Sequence, residues 1–69
     1  MRIRVIYHLS EIMYDRNLSE RELSRMSGVS KTTINNINNG RKHPNGETLC
    51  MLASALKIPV GDLISYKLQ

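Results

Sequence analysis

Two helix starts separated by a glycine break, all within LSERELSRMSGVSKTTINNINNG, leave this chain few folds to choose from. Ser19 as N-cap with Glu22 at the N3 position spells a capping box, and Leu18 and Leu23 occupy the staple positions on either side. The spacing predicts a helix from about Glu20 to Met26 or Ser27, broken by Gly28. The device then repeats. Ser30 caps, Val29 and Ile34 take the staple positions, and the next helix runs to about Asn39, where Gly40 is expected in the left-handed conformation that closes a helix.

The flanks fit short elements around this pair. Arg2, Ile3, Arg4 and Val5 alternate with the period of a strand, and Ile6, Leu9, Ile12 and Met13 then step at helical spacing. A first helix is therefore expected over residues 6–16, with Asn17 ending it in the left-handed region. Beyond the polar loop RKHPN, Leu49, Leu52, Ala53 and Leu56 give an amphipathic fourth helix capped by Asn45. A fifth is expected over residues 60–65. Its start is weak, because Pro59 stands where a capping side chain would help and Gly61 costs about 1 kcal/mol against Ala, although Asp62 suits the positive helix end. The tail Ile64, Tyr66, Leu68 alternates with Ser65 and Lys67, which offers a strand to residues 2–5. The expected fold is all-α: one domain over 1–69, five helices with the helix-turn-helix at about 20–39, and a short two-stranded sheet from the two termini.

Sixty-nine residues bury one small core with a narrow stability margin unless a metal, disulfides or a partner subunit helps. Cys50 is the only cysteine, so no intrachain disulfide and no paired-cysteine zinc motif can form, and a second copy of the chain is the staple that remains. No apolar run approaches the roughly 20 residues of a membrane span. The basic N-terminal stretch is broken by His8, Ser10 and Glu11 before a signal-peptide core develops. A cytoplasmic location is expected. Neither His8 nor His43 has a partner at metal-ligand spacing, and the chain has no glycine-rich phosphate loop and no catalytic triad order, so no enzyme, metal or cofactor is expected, and no small-molecule ligand is evident. Cys50 is read as a small packed hydrophobe. Met51, Ile58 and Val60 fit either a dimer edge or local packing against the terminal strands.

The net charge is +4, and its placement carries the information. Residues 23–46 hold Arg25, Lys31, Arg41 and Lys42 and no acid, while the remaining six basic residues are matched by all six acids. A localised basic excess is the footprint of a polyanion binder. On the helix after Gly28, Ile34 and Ile37 define the buried face, and Thr32, Asn35, Asn36 and Asn39 project roughly opposite, flanked by Lys31. These are poor helix formers with no acid among them. Amides and hydroxyls are what base edges accept: Asn pairs with adenine, Thr offers a methyl and a hydroxyl, and Lys favours guanine.

The motifs ELSxxSGVSxTTIxxIxxGRxxP and LxxLAxALxI, over about residues 18–64, resemble the Cro/repressor-type (Xre-like) helix-turn-helix regulators of bacteria and phages. The resemblance implies that the third helix enters the major groove of double-stranded DNA and that a two-fold homodimer binds a pseudo-palindromic operator, most often as a repressor. It places base reading on Lys31, Thr32 and Asn36, with Asn35 beside them, and backbone contacts on Ser30, Thr33, Asn39, Arg41 and Lys42, supported by Arg21 and Arg25. Glu20 stands where relatives commonly carry Gln against the DNA backbone, and a carboxylate there disfavours phosphate. The strand-like ends resemble those of very short members in which the DNA-binding and dimer modules are one. Dimerisation through helices four and five and dimerisation through the terminal strands both remain open. The rival reading is a protein-interaction or antitoxin-like helical module with weak or no DNA binding, supported by Glu20 and the weak fifth helix.

Overall fold

The computed structural model describes residues 2–69 and begins with a strand, β1 (Ile3–Tyr7). Helices α1 (Leu9–Asp15), α2 (Glu20–Ser27), α3 (Lys31–Asn38) and α4 (Gly46–Leu56) follow, then a 3₁₀ turn at Val60–Asp62 and strand β2 (Ile64–Leu68). Both capped starts form. The Glu22 N–H donates to Ser19 Oγ at 3.0 Å while the Ser19 N–H donates to the Glu22 carboxylate at 3.1 Å, completing the capping box. Ser30 Oγ accepts from the Thr33 N–H at 3.1 Å, and Asn45 Oδ1 from the Thr48 N–H at 2.8 Å.

Each α-helix closes on a residue with positive φ. Asn17 (56°), Gly40 (70°) and Lys57 (58°) sit in Schellman motifs, in which the following N–H reaches back to the carbonyls of Met13, Asn36 and Ala53 respectively. Gly28 (79°) donates to the Ser24 carbonyl at 2.9 Å and turns the chain from α2 into α3. These closures keep the helices short and let them cross around one core. Leu9, Met13, Leu23, Val29, Ile34, Ile37, Leu52, Ala53, Leu56 and Leu63 form it. The staple residues are part of it: Leu23, Val29 and Ile34 are buried, and Leu18 packs against them.

Three expectations need correction. The first helix starts at Leu9, because the alternation of Arg2–Val5 continues through Ile6 and Tyr7, which pair with Ser65 and Ile64 instead of turning into a helix. The expected fifth helix is reduced to the 3₁₀ turn: Pro59 supplies no capping bond, and the cross-strand partners at Ile6 and Tyr7 claim Ser65 and Ile64. The fold is thus four α-helices with a small antiparallel sheet. Its register, Ile3 opposite Leu68 through Tyr7 opposite Ile64, extends the expected terminal pairing inward. Met51, Ile58 and Val60 are partly buried and pack against the core. Cys50 is exposed and not packed, because it lies on the outer side of α4 away from Leu52, Ala53 and Leu56. Among the described residues no helix is long and apolar enough to cross a membrane.

Candidate nucleic-acid interface

Left to itself, a sequence such as KTTINNIN would scarcely hold a helix, since Thr and Asn compete with their own backbone for hydrogen bonds. Here α3 is held from outside. The Ser30 cap fixes its start, the Ser30 hydroxyl also donates to Thr33 Oγ1 at 2.8 Å, the Schellman closure at Gly40 fixes its end, and Ile34 and Ile37 are sunk in the core. Among the outward side chains, Lys31, Thr32 and Asn36 make no side-chain hydrogen bond to the described residues and are thereby free of folding duty.

Lys31, Thr32, Asn35 and Asn36 line one open groove of about 330 Å³, with Glu20 from the start of α2 and Arg41 from just past α3. All four residues expected to read bases are brought together there. Arg41 reaches the groove because its own N–H closes the Schellman motif onto the Asn36 carbonyl at 2.9 Å, which folds the chain back along the helix end. The other expected backbone contacts do not line the groove. Arg21 and Arg25 are exposed on α2 on the side opposite the buried Leu23, and Lys42 is exposed in the loop after α3. The hydroxyls of Ser30 and Thr33 are engaged in the cap, and Asn39 donates its amide to Asn35 Oδ1 at 3.0 Å.

A network that sequence reasoning missed runs beneath this surface. Asn35 Nδ2 donates to both Glu20 oxygens at 3.2 and 3.3 Å, and Asn38 Nδ2 donates to the same carboxylate at 3.2 Å. With Asn39 on its oxygen, Asn35 has both polar atoms committed within the chain. Glu20 is half-buried, and two amides occupy its lone pairs, so it presents less bare negative charge to the groove than its position in the sequence suggests. Asn38 Oδ1 is buried and has no hydrogen-bond partner among the described residues. The run of four asparagines carries no hint of which members face α2. Only the packing of the two helices decides that.

A larger depression of about 660 Å³ lies between α2 and α4, lined by Met26, Cys50, Met51 and Ala55 among others. Ser27, Ser54 and Glu47 complete its lining with a single cation, Lys57, and the Glu47 carboxylate disfavours phosphate there.

The chain superposes on the crystal structure of the transcriptional regulator VanUg with a TM-score of 0.78 and 26% identity, covering 100% of this chain and 92% of that one. No curated protein matches it. The model of the Cro/C1-type HTH DNA-binding domain matches residues 8–69, a span that holds all four helices, both caps of the helix-turn-helix and every residue of the groove. The chain belongs to the Cro/C1-type helix-turn-helix DNA-binding domain family.

Proposed function

We propose that this chain is a sequence-specific double-stranded DNA-binding regulator of transcription, a repressor that places α3 in the major groove and binds a pseudo-palindromic operator as a homodimer. The observation that carries this reading is the groove itself: Lys31, Thr32 and Asn36 with Arg41, on a helix whose folding is supplied by its caps and its two buried isoleucines. Lys31, Thr32 and Asn36 read bases. Asn35, held by Glu20 and Asn39, shapes the floor beside them. Arg41, Lys42, Arg21 and Arg25 supply the backbone contacts as exposed cations, joined by Ser30 and Thr33 at the start of α3 and Asn39 at its end.

The similarity to VanUg, a transcriptional regulator, supports the same reading. The rival protein-interaction module drew on Glu20 and on the weak fifth helix. Glu20 is occupied by Asn35 and Asn38, so that support loses weight, while the fifth helix is indeed weak, a 3₁₀ turn and a strand standing in its place.

Selection of random duplexes on the purified protein tests the proposal directly, and an inverted repeat is the expected product. Affinity for the selected duplex should fall with salt at a log–log slope of about 0.9 per neutralised phosphate. No enrichment, or no retardation of any duplex at low salt, would defeat the proposal and favour the interaction module.

A further inference from the structure

The two-stranded ribbon has an apolar face whose outer half its own domain leaves uncovered. Residues directly opposite in an antiparallel pair share a face, so the register puts Ile3, Val5 and Tyr7 beside Leu68, Tyr66 and Ile64 on one side, with Arg4, Ile6, Ser65 and Lys67 on the other. Among the described residues, β1 and β2 make no extensive contact with any α-helix, and β2 leans only on the 3₁₀ turn. The apolar side is correspondingly open: Ile3 is 55%, Tyr66 66% and Leu68 64% exposed. Ile3, Val5, Ile64 and Tyr66 line a shallow apolar depression of about 310 Å³ on this face. A lone two-stranded sheet in water is marginal and gains its stability by packing a face against something else. Here only the inner end of that face, at Tyr7, packs against the chain's own core, and the outer end at Ile3, Tyr66 and Leu68 is left open.

We propose that this ribbon face is the homodimer interface, with the ribbons of two copies stacked face to face about a two-fold axis. The proposal names the surface behind the dimer in the reading above. Three observations select a second copy as the occupant. The face is apolar throughout, so it is complementary to itself, as an isologous two-fold contact requires. Its cations, Arg4 and Lys67, lie on the opposite side, so stacking brings together two chains of net charge +4 without burying or opposing these charges. The area also fits: Ile3, Tyr66 and Leu68 alone leave on the order of 400 Å² of side chain in water, the size at which an apolar patch on a monomer is usually functional. With Val5 and Ile64 from both copies, the contact buries roughly 1,000 Å² in total, the smallest area that supports a specific interface.

Sedimentation equilibrium of the full chain tests this. The natural sequence should dimerise, and Ile3→Lys combined with Leu68→Glu should be monomeric over the same concentration range. These two positions face each other across the ribbon, so the exchanged pair keeps an attractive cross-strand contact, and far-UV circular dichroism should show the variant folded. Met26→Glu, in the depression between α2 and α4, should leave the dimer intact. A natural chain that stays monomeric, a dimer that survives the Lys–Glu exchange in the folded variant, or a dimer abolished by Met26→Glu would each overturn the proposal. DNA binding is read separately. A natural dimer that retains no duplex defeats the regulator reading and leaves this interface standing, whereas a monomer that still selects DNA defeats the interface and leaves the DNA-binding part of that reading standing without its dimer.

Discussion

The side-chain amide of Asn35 donates to both oxygens of the Glu20 carboxylate, at 3.2 and 3.3 Å, and so fastens the first turn of α2 to the outer side of α3 at the rim of the groove. The hydrophobic contacts of Leu23 and Ile34 hold the two helices together, but they are non-directional. The amide–carboxylate pair adds direction, because it exists only at one rotation of α3 against α2. It also reconciles an acid with a groove that holds Lys31 and Arg41. The charge sits at the positive end of α2, where it is favourable, and two amides share it.

Replacing Glu20 therefore moves stability and affinity in opposite directions. Glu20→Ala strips the half-buried amides of Asn35 and Asn38 of their acceptor, at a cost of about 1–2 kcal/mol, read as a lower urea midpoint. Glu20→Gln keeps one acceptor oxygen and should lose less. Both remove a negative charge from the groove and should raise affinity for operator and random duplex alike. An affinity gain confined to the operator would show that Glu20 acts on base recognition and not through its charge.

The parts of this fold that were legible in the sequence are those set by local chemistry. Ser19 with Glu22, Ser30 and Asn45 announce helix starts, and Asn17 and Gly40 announce ends, because each acts on backbone groups within a few residues. Ile6 and Tyr7 were misplaced because Ile6 fits both the helical step and the strand alternation, and only its partner Ser65, far along the chain, decides between them. The same limit hid the left-handed turn at Lys57, which has no glycine to mark it. In the candidate site, the outward face of α3 could be read from Ile34 and Ile37. The diversion of Asn35 and Asn38 toward Glu20 could not, since it depends on how α2 lies against α3.

Two substitutions separate reading from holding. Asn36 lines the groove, and no side-chain hydrogen bond to it is seen among the described residues, so its amide is free for a base edge. Asn36→Ala should cost on the order of 1–3 kcal/mol on the selected operator and relax preference at one base pair per half-site, with little change on random duplex. Lys42 is exposed and does not line the groove, so Lys42→Ala should weaken all duplexes about equally and lower the salt slope by about 1. Competition titrations on operator and random duplex at two salt concentrations check both. Equal losses on the two duplexes for Asn36→Ala would remove it from the base-reading set.

Lys57 closes α4 with φ 58° and ψ 44°, a conformation that costs a residue with a Cβ about 1–2 kcal/mol. Glycine takes it without strain but has more freedom to lose on folding. The balance predicts that Lys57→Gly raises stability by about 0.5–1 kcal/mol. Lys57 lines the depression between α2 and α4 and not the groove, so preference among duplexes should not change. A lower urea midpoint in Lys57→Gly would mean that the lysine side chain contributes more than its backbone strain costs.

The hydroxyl of Tyr7 hydrogen-bonds His43 Nδ1 at 2.8 Å, with the two rings 5.7 Å apart, and so ties β1 to the loop that carries Arg41 and Lys42. Burial raises the Tyr7 phenol above its ordinary pKa of 10.0. A raised pKa in the folded state means that the native chain holds this proton more tightly than the unfolded one. The Tyr7 contribution is then complete below pH 10 and is lost as the pH climbs through the folded value. Tyr7→Phe should cost about 1 kcal/mol at neutral pH through the missing hydrogen bond. It should also make the alkaline decline shallower, because phenylalanine has no proton to lose. Urea midpoints of both proteins at neutral pH and on either side of about pH 10 measure the two effects. Parallel declines in the two proteins would assign the alkaline loss to groups other than Tyr7.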